Sequence, residues 1–222
     1  MRIPIFLIAA VLFLLGSCVS EPWGATKGDP PTTDELKALF KERQEAGILE
    51  SRWRVRALFP DPEAMRGVNS EAAAAAERGE LKAASAAWWG WNGENDTDAL
   101  QRALKASVEV LIVPAMPGDW IAGPLELDGP RILLFEPGAV IAALPGAFRE
   151  RKEYLITAYR VRDLTIRGYG ARLEMRKREY TREPYVWSQW RHALALLESQ
   201  EVLVEGLSIE RSGGDGIILR TG

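Results

Sequence analysis

Apolar residues follow two different periods along this chain, and the change falls near residue 88. In the first part the spacing is helical. Thr32 and Glu35 stand at capping-box spacing, and Leu36, Leu39 and Phe40 share one face behind them. Gly47 reads as a stop for that helix, and Pro60 and Pro62 break the next stretch. Ser70 reads as the cap of an alanine-rich helix over residues 71–78, ended by Gly79. Further on, Asp96 or Thr97 can cap one more helix, whose stripe is Ala99, Leu100, Ala103 and Leu104. After it the pattern shortens to strands over residues 108–113, 125–127, 132–135 and 139–141, punctuated by Pro114, Gly118, Gly123, Pro124 and Gly138.

Two later segments, residues 162–175 and 201–210, repeat one design. Each has alternating apolar residues, a glycine at a bend, and a second short alternating run. Residues 193–197 read as a buried strand and residues 216–220 as a last strand. A unit of this kind cannot bury its inner face alone; stacking such units in register makes one continuous apolar column. Antiparallel hairpins would alternate too, but these bends lack the Asn-Gly or Asp-Gly of tight hairpins. Residues 142–155 and 176–191 then read as insertions that shape one side of the stack.

Residues 88–104, Trp-Trp-Gly-Trp-Asn-Gly-Glu-Asn-Asp-Thr-Asp-Ala-Leu-Gln-Arg-Ala-Leu, carry a family signal. With the strand, the Pro-Gly turn and the Gly-Pro-Leu-Glu-Leu strand that follow, the order resembles the opening of the pectate-lyase/polygalacturonase-like superfamily. The usual Gly-Asp-Gly before Thr-Asp is replaced here by residues 92–96, and the usual glycine run before the first strand is missing. The resemblance spans residues 88–222. It implies a mainly β fold: the N-terminal rungs of an incomplete right-handed parallel β-helix, preceded by a helical region and capped by the Asp-Thr-Asp helix.

The chain opens on Arg2 and an apolar run over residues 3–15, too short for a permanent membrane span and shaped like a secretory signal. Leu15-Gly16-Ser17-Cys18 follows, and Cys18 is the only cysteine. This resembles the bacterial lipobox, which implies lipidation of Cys18, export, and anchoring to the outer membrane because Val19 is not Asp. The organisation expected is therefore a signal peptide over residues 1–17, a tether and helical spacer or cap over 18–86, and the β-helix part over 87–222.

Composition narrows the function. The 222 residues are 47% hydrophobic and 27% charged, with a net charge of −3, which offers no basic excess for nucleic acid. One Cys and one His leave no disulfide framework and no His-rich metal site, so no cofactor is expected. The resemblance still leaves room for Ca²⁺ held by scattered carboxylates, as in pectate lyases.

The candidate chemistry sits late in the chain. Residues 212–217 read Ser-Gly-Gly-Asp-Gly-Ile, and the glycines leave the carboxylate of Asp215 open to a ligand. Asp215-Gly216-Ile217 partly resembles a catalytic motif of polygalacturonase-type glycosidases, which pair one acid with carboxylates that activate water. His192 can exchange protons near neutral pH, and Arg191 can neutralise a developing charge. Asp163 and Glu174 are possible partners, or equally solvated outward positions. Tyr180, Tyr185, Trp187 and Trp190 with Arg178 form an aromatic and basic loop suited to stacking on sugars and pairing uronate carboxylates. The bland alternative is a loop whose aromatics pack on the stack while its charges face water.

The expectation is a cell-envelope polysaccharide-acting enzyme, a glycoside hydrolase or polysaccharide lyase, on an acidic glycan. A non-catalytic glycan-binding or structural surface lipoprotein and a uronate epimerase fit the same scaffold. Because the last strand reads as uncapped, the sequence is also expected to be an N-terminal fragment of a longer protein.

Overall fold

A computed structural model describes residues 31–220. Cys18 and the signal segment lie outside these residues. Helix α1 covers Thr33–Leu58, α2 Pro62–Arg66, α3 Ser70–Glu77 and α4 Thr97–Lys105. The capping box forms as read: Thr32 N donates to Glu35 Oε2 (2.7 Å) and Glu35 N to Thr32 Oγ1 (3.3 Å). Three local expectations are corrected. First, α1 does not stop at Gly47; it runs on for more than two turns. Second, the cap of α3 is Asn69, whose side chain accepts from Ala72 N (3.0 Å), and Ser70 is already helical. Third, Asp96 occupies the cap position of α4 without a capping hydrogen bond, because its carboxylate is engaged elsewhere.

Thirteen strands make three sheets among the described residues. The first sheet orders β1 (Ala83–Ser85), β2 (Val110–Val113), β5 (Ile132–Phe135), β8 (Arg162–Arg167) and β11 (Gln200–Glu205). The second orders β3 (Trp120–Ala122), β6 (Val140–Ala143), β9 (Arg172–Glu174) and β12 (Ser208–Glu210). The third orders β4 (Leu125–Glu126), β7 (Ile156–Tyr159), β10 (Leu194–Leu197) and β13 (Ile217–Arg220). Every pairing is parallel. From β2 onward the chain visits the three sheets in turn, one strand further along each time. This order is compatible with a β-helix-like fold. The sheets start earlier than residue 88, with β1. At 26% strand and 27% helix the described residues are mixed rather than mainly β, since the N-terminal part of them is helical.

Burial explains the alternation. Inward residues stack in register: Leu111 on Leu133, and Leu133 on Ile166 in the first sheet, Trp120 on Ile141 and Leu173 in the second, Leu125 on Ile156 and Leu194 in the third. All of these are buried in one cluster. The outer face of the first sheet is apolar at Ile112 and Leu134, and Val55 of α1 and Met65 of α2 cover it. At about 25 cal/mol per Å² of apolar area removed from water, such columns are the main favourable term in this fold.

Helix α4 closes one end of the stack. Gln101 Oε1 accepts from Glu126 N (3.0 Å) while its Nε2 donates to Glu126 O (2.9 Å), so one amide side chain takes the place of a neighbouring strand. Thr97 Oγ1 accepts from Gly123 N (2.8 Å). The buried Asp96 carboxylate accepts from Asn92 N (2.7 Å) and Ile121 N (2.9 Å). The Asp-Thr-Asp helix therefore satisfies edge groups of β3 and β4 that would otherwise lack partners.

Candidate functional site

The insertion between β9 and β10 carries most of the residues singled out in the sequence, and it divides them. Tyr180 is buried, and its hydroxyl accepts from Arg176 N (3.2 Å). Burial pushes its phenol up to about 12. Tyr185 is half-buried; its hydroxyl donates to Glu179 Oε2 (3.0 Å) and accepts from Gly146 N (3.0 Å). Burial first, and then the Glu179 contact, raise its phenol too. The two rings meet edge to face at 5.2 Å. Trp187 and Trp190 by contrast are exposed, with Lys152 Nζ lying 5.7 Å from the Trp190 ring. Arg178 is exposed as well, and its backbone carbonyl accepts from Thr181 Oγ1 (3.1 Å). The inner half of the loop packs, as the bland reading has it, and the outer half presents aromatic and basic groups to solvent.

Arg191 is wholly buried. Its guanidinium donates to the carbonyls of Phe148 (2.6 Å), Arg149 (3.1 Å) and Val186, and lies 5.1 Å from the Tyr180 ring. It thus ties both insertions together through backbone oxygens. His192 is buried beside it, stacked on Tyr154 at 5.6 Å. His192 Nδ1 lies 2.9 Å from the carbonyl oxygen of Asp215. A carbonyl can only accept, so Nδ1 carries a proton in this contact. Nε2 is buried without a hydrogen-bond partner among the described residues.

His192 and Asp215 therefore meet through the backbone of Asp215, and the carboxylate itself is exposed. The Gly-rich turn is held in place from below. Gly213 N donates to Arg191 O (3.0 Å), and Ser212 Oγ lies 2.7 Å from Asp215 O. Gly214 admits no side chain, since a Cβ there would overlap the carbonyl oxygen of Gln189.

A cleft of about 390 Å³ opens beside this loop, lined by Glu174, Arg176, Lys177, Arg178, Glu179 and Arg211. Glu174 is paired with Arg211 (2.5 Å) and Arg172 (3.2 Å), and Glu179 with Arg176 (2.5 Å). Both carboxylates are thus clamped by arginines, and Lys177 and Arg178 are exposed beyond them. Glu174 was legible as an outward strand position. Glu179 and Arg211 were not: Arg211 reaches the cleft from a left-handed backbone (φ 54°), which no sequence pattern marks. Asp163 lies outside this cleft, near the start of β8, where it faces Glu201 of the next circuit. A hydrogen bond and charge repulsion between these two carboxylates raise the pKa of Glu201.

Among the described residues no group of three or more His, Cys, Asp and Glu is placed to hold a metal ion, and no helix is long and apolar enough to cross a membrane. No protein-family model matches this chain, and neither a curated protein nor a solved structure matches it.

Proposed function

We propose that this protein is a right-handed parallel β-helix of the pectate-lyase/polygalacturonase-like kind, exported and lipid-anchored at Cys18, that acts on an acidic polysaccharide. The observation that carries the reading is the cleft of Glu174, Arg176, Lys177, Arg178, Glu179 and Arg211; the loop that supplies four of these residues also exposes the rings of Trp187 and Trp190. Four cations there outnumber two carboxylates, and both carboxylates are already neutralised by arginines. That environment favours an anionic chain, and exposed indoles suit the C–H faces of sugars.

Asp215 is assigned one acid–base role in turnover of the hydrolase or lyase type; its exposed carboxylate sits on a turn whose carbonyl contacts His192 Nδ1. Arg191 acts as a positioning residue that holds the aromatic loop. Burial of Arg191 and His192 favours a second reading, a glycan-binding surface lipoprotein without turnover. Incubation with pectin, alginate and glycosaminoglycans separates the two. New reducing ends indicate hydrolysis, and the ultraviolet absorbance of an unsaturated uronate indicates elimination. Turnover abolished in Asp215→Asn without loss of folding supports the first reading. Binding without either product supports the second, and neither binding nor product removes both.

A further inference from the structure

Helix α1 has two apolar faces, and the sheets cover one of them. Gly47, Ser51 and Val55 are buried; Val55 packs on Ile112 and Leu134, and Gly47 on the Tyr169 ring. Leu49 and Trp53 each stand two residues after a buried position, about 200° further round the helix. They point away from the sheet, 65% and 70% exposed, one turn apart on one ridge. The charges beside this ridge are lopsided. Residues 52–56 read Arg-Trp-Arg-Val-Arg. Over residues 43–57 the two acids are engaged, Glu45 by Lys41 (3.9 Å) and Glu50 by Arg54 (2.7 Å) and Arg167 (2.7 Å). Arg66, Arg78, Arg102, Arg160 and Arg211 each meet a carboxylate elsewhere in the fold. Arg52 and Arg56 are exposed and meet none among the described residues.

A leucine and an indole framed by unpaired arginines are the side chains of a helix that lies in a membrane interface. The apolar groups enter the headgroup boundary, and the guanidinium forks meet phosphates. An uncharged protein surface leaves both guanidinium groups unmatched. The position in the chain agrees. Residues 19–48 join Cys18 to Leu49; even at the helical rise they reach about 45 Å. An anchor at Cys18 therefore keeps the ridge within reach of the bilayer and makes the second contact intramolecular.

We propose that Leu49, Arg52, Trp53 and Arg56 form a membrane-docking face that lays α1 on the anionic phospholipid bilayer holding the anchor. The inference rests on the proposed lipidation of Cys18. Because the opposite face of α1 covers the first sheet, docking places that sheet nearest the bilayer. Each arginine at an anionic surface adds to the attraction, and salt weakens it.

The test isolates the full chain from membranes and places it in vesicles of phosphatidylethanolamine and phosphatidylglycerol. Intact mass first establishes whether Cys18 carries diacylglycerol. A nitroxide attached through Ala46→Cys, an exposed position three residues before Leu49, then reports access to a water-soluble relaxing agent. With the sulfur of Cys18 lipidated, the label has the one free thiol. The label is expected to be shielded in these vesicles and accessible in neutral phosphatidylcholine. Arg52→Gln/Arg56→Gln is expected to lower the ratio of shielded to accessible label roughly tenfold or more, and Trp53→Ala to lower it as well. Equal access in anionic and neutral vesicles, or shielding untouched by these substitutions, overturns the docking face and leaves the lipid on Cys18 standing. A chain without that lipid overturns both. Shielding that persists in neutral vesicles and grows with protein concentration gives the face to a second copy, and also overturns the proposal.

Discussion

Gly47 of α1 packs directly on the ring of Tyr169: a Cβ at Gly47 would overlap Cγ and Cδ1 of that ring, and Gly206 closes on the same ring from β11's end. The glycine is therefore a contact point inside a helix. In a solvated helix Gly→Ala stabilises by about 1 kcal/mol. Here Gly47→Ala is expected to destabilise by about 1–3 kcal/mol, as overpacking does. Urea denaturation gives the sign directly, and Tyr169→Ala in the same chain is expected to restore much of the loss.

Glu50, Arg167 and Glu205 form a chain of charges joining α1 to the sheets. Glu50 Oε1 accepts from Arg54 (2.7 Å) and lies 2.7 Å from Arg167 Nη1, a close ion contact without hydrogen-bond alignment, while Arg167 Nε donates to Glu205 Oε1 (2.6 Å). Partial burial works against the charged form of Glu50, but Arg167 and Arg54 outweigh it and hold its pKa below the usual carboxylate value. A lowered folded pKa contributes stability above the unfolded value of about 4.3, lost as pH falls through the folded pKa. The expected outcome is an acid transition, starting below about pH 4, that becomes shallower in Glu50→Gln. Chemical denaturation across that range checks it.

Arg191 donates to three backbone carbonyls from two insertions. Arg191→Met leaves those oxygens without their donor, at an expected cost of about 3 kcal/mol. Limited proteolysis should then cut within residues 176–191 well before the sheets unfold. Unchanged resistance would show that the loop is held by its tyrosines alone.

The Tyr180 phenol, raised to about 12, gives the opposite pH sign. A raised folded pKa contributes stability below the unfolded value of about 10, lost as pH rises through the folded pKa. Stability should therefore fall between about pH 10 and 12, and Tyr180→Phe should remove that part of the fall. Ultraviolet titration of phenolate with parallel unfolding curves measures both.

The strands were legible where alternation meets a clear bend. Residues 162–167 and 132–135 pair as parallel neighbours at the positions their patterns mark. Strand β1 was missed because Ala-Ala-Ser carries no β-branched signal; its place is set by pairing with β2. Gly47 was misread because a glycine that ends a helix and one that admits a neighbouring ring look alike in sequence. At the site, the exposed indoles and Arg178 were legible from composition. The cleft was not, since Glu174, Glu179 and Arg211 come together only through stacking of successive circuits. No spacing rule revealed that His192 would meet the backbone of Asp215 instead of its carboxylate.

Calorimetric titration of the full chain with oligogalacturonate, beside a neutral oligosaccharide of equal length, probes the cationic cleft most directly. The account predicts binding of the uronate alone, weakened by salt and reduced roughly tenfold in Lys177→Ala/Arg178→Ala. Equal binding of the neutral sugar, or uronate binding untouched by those substitutions, would contradict it.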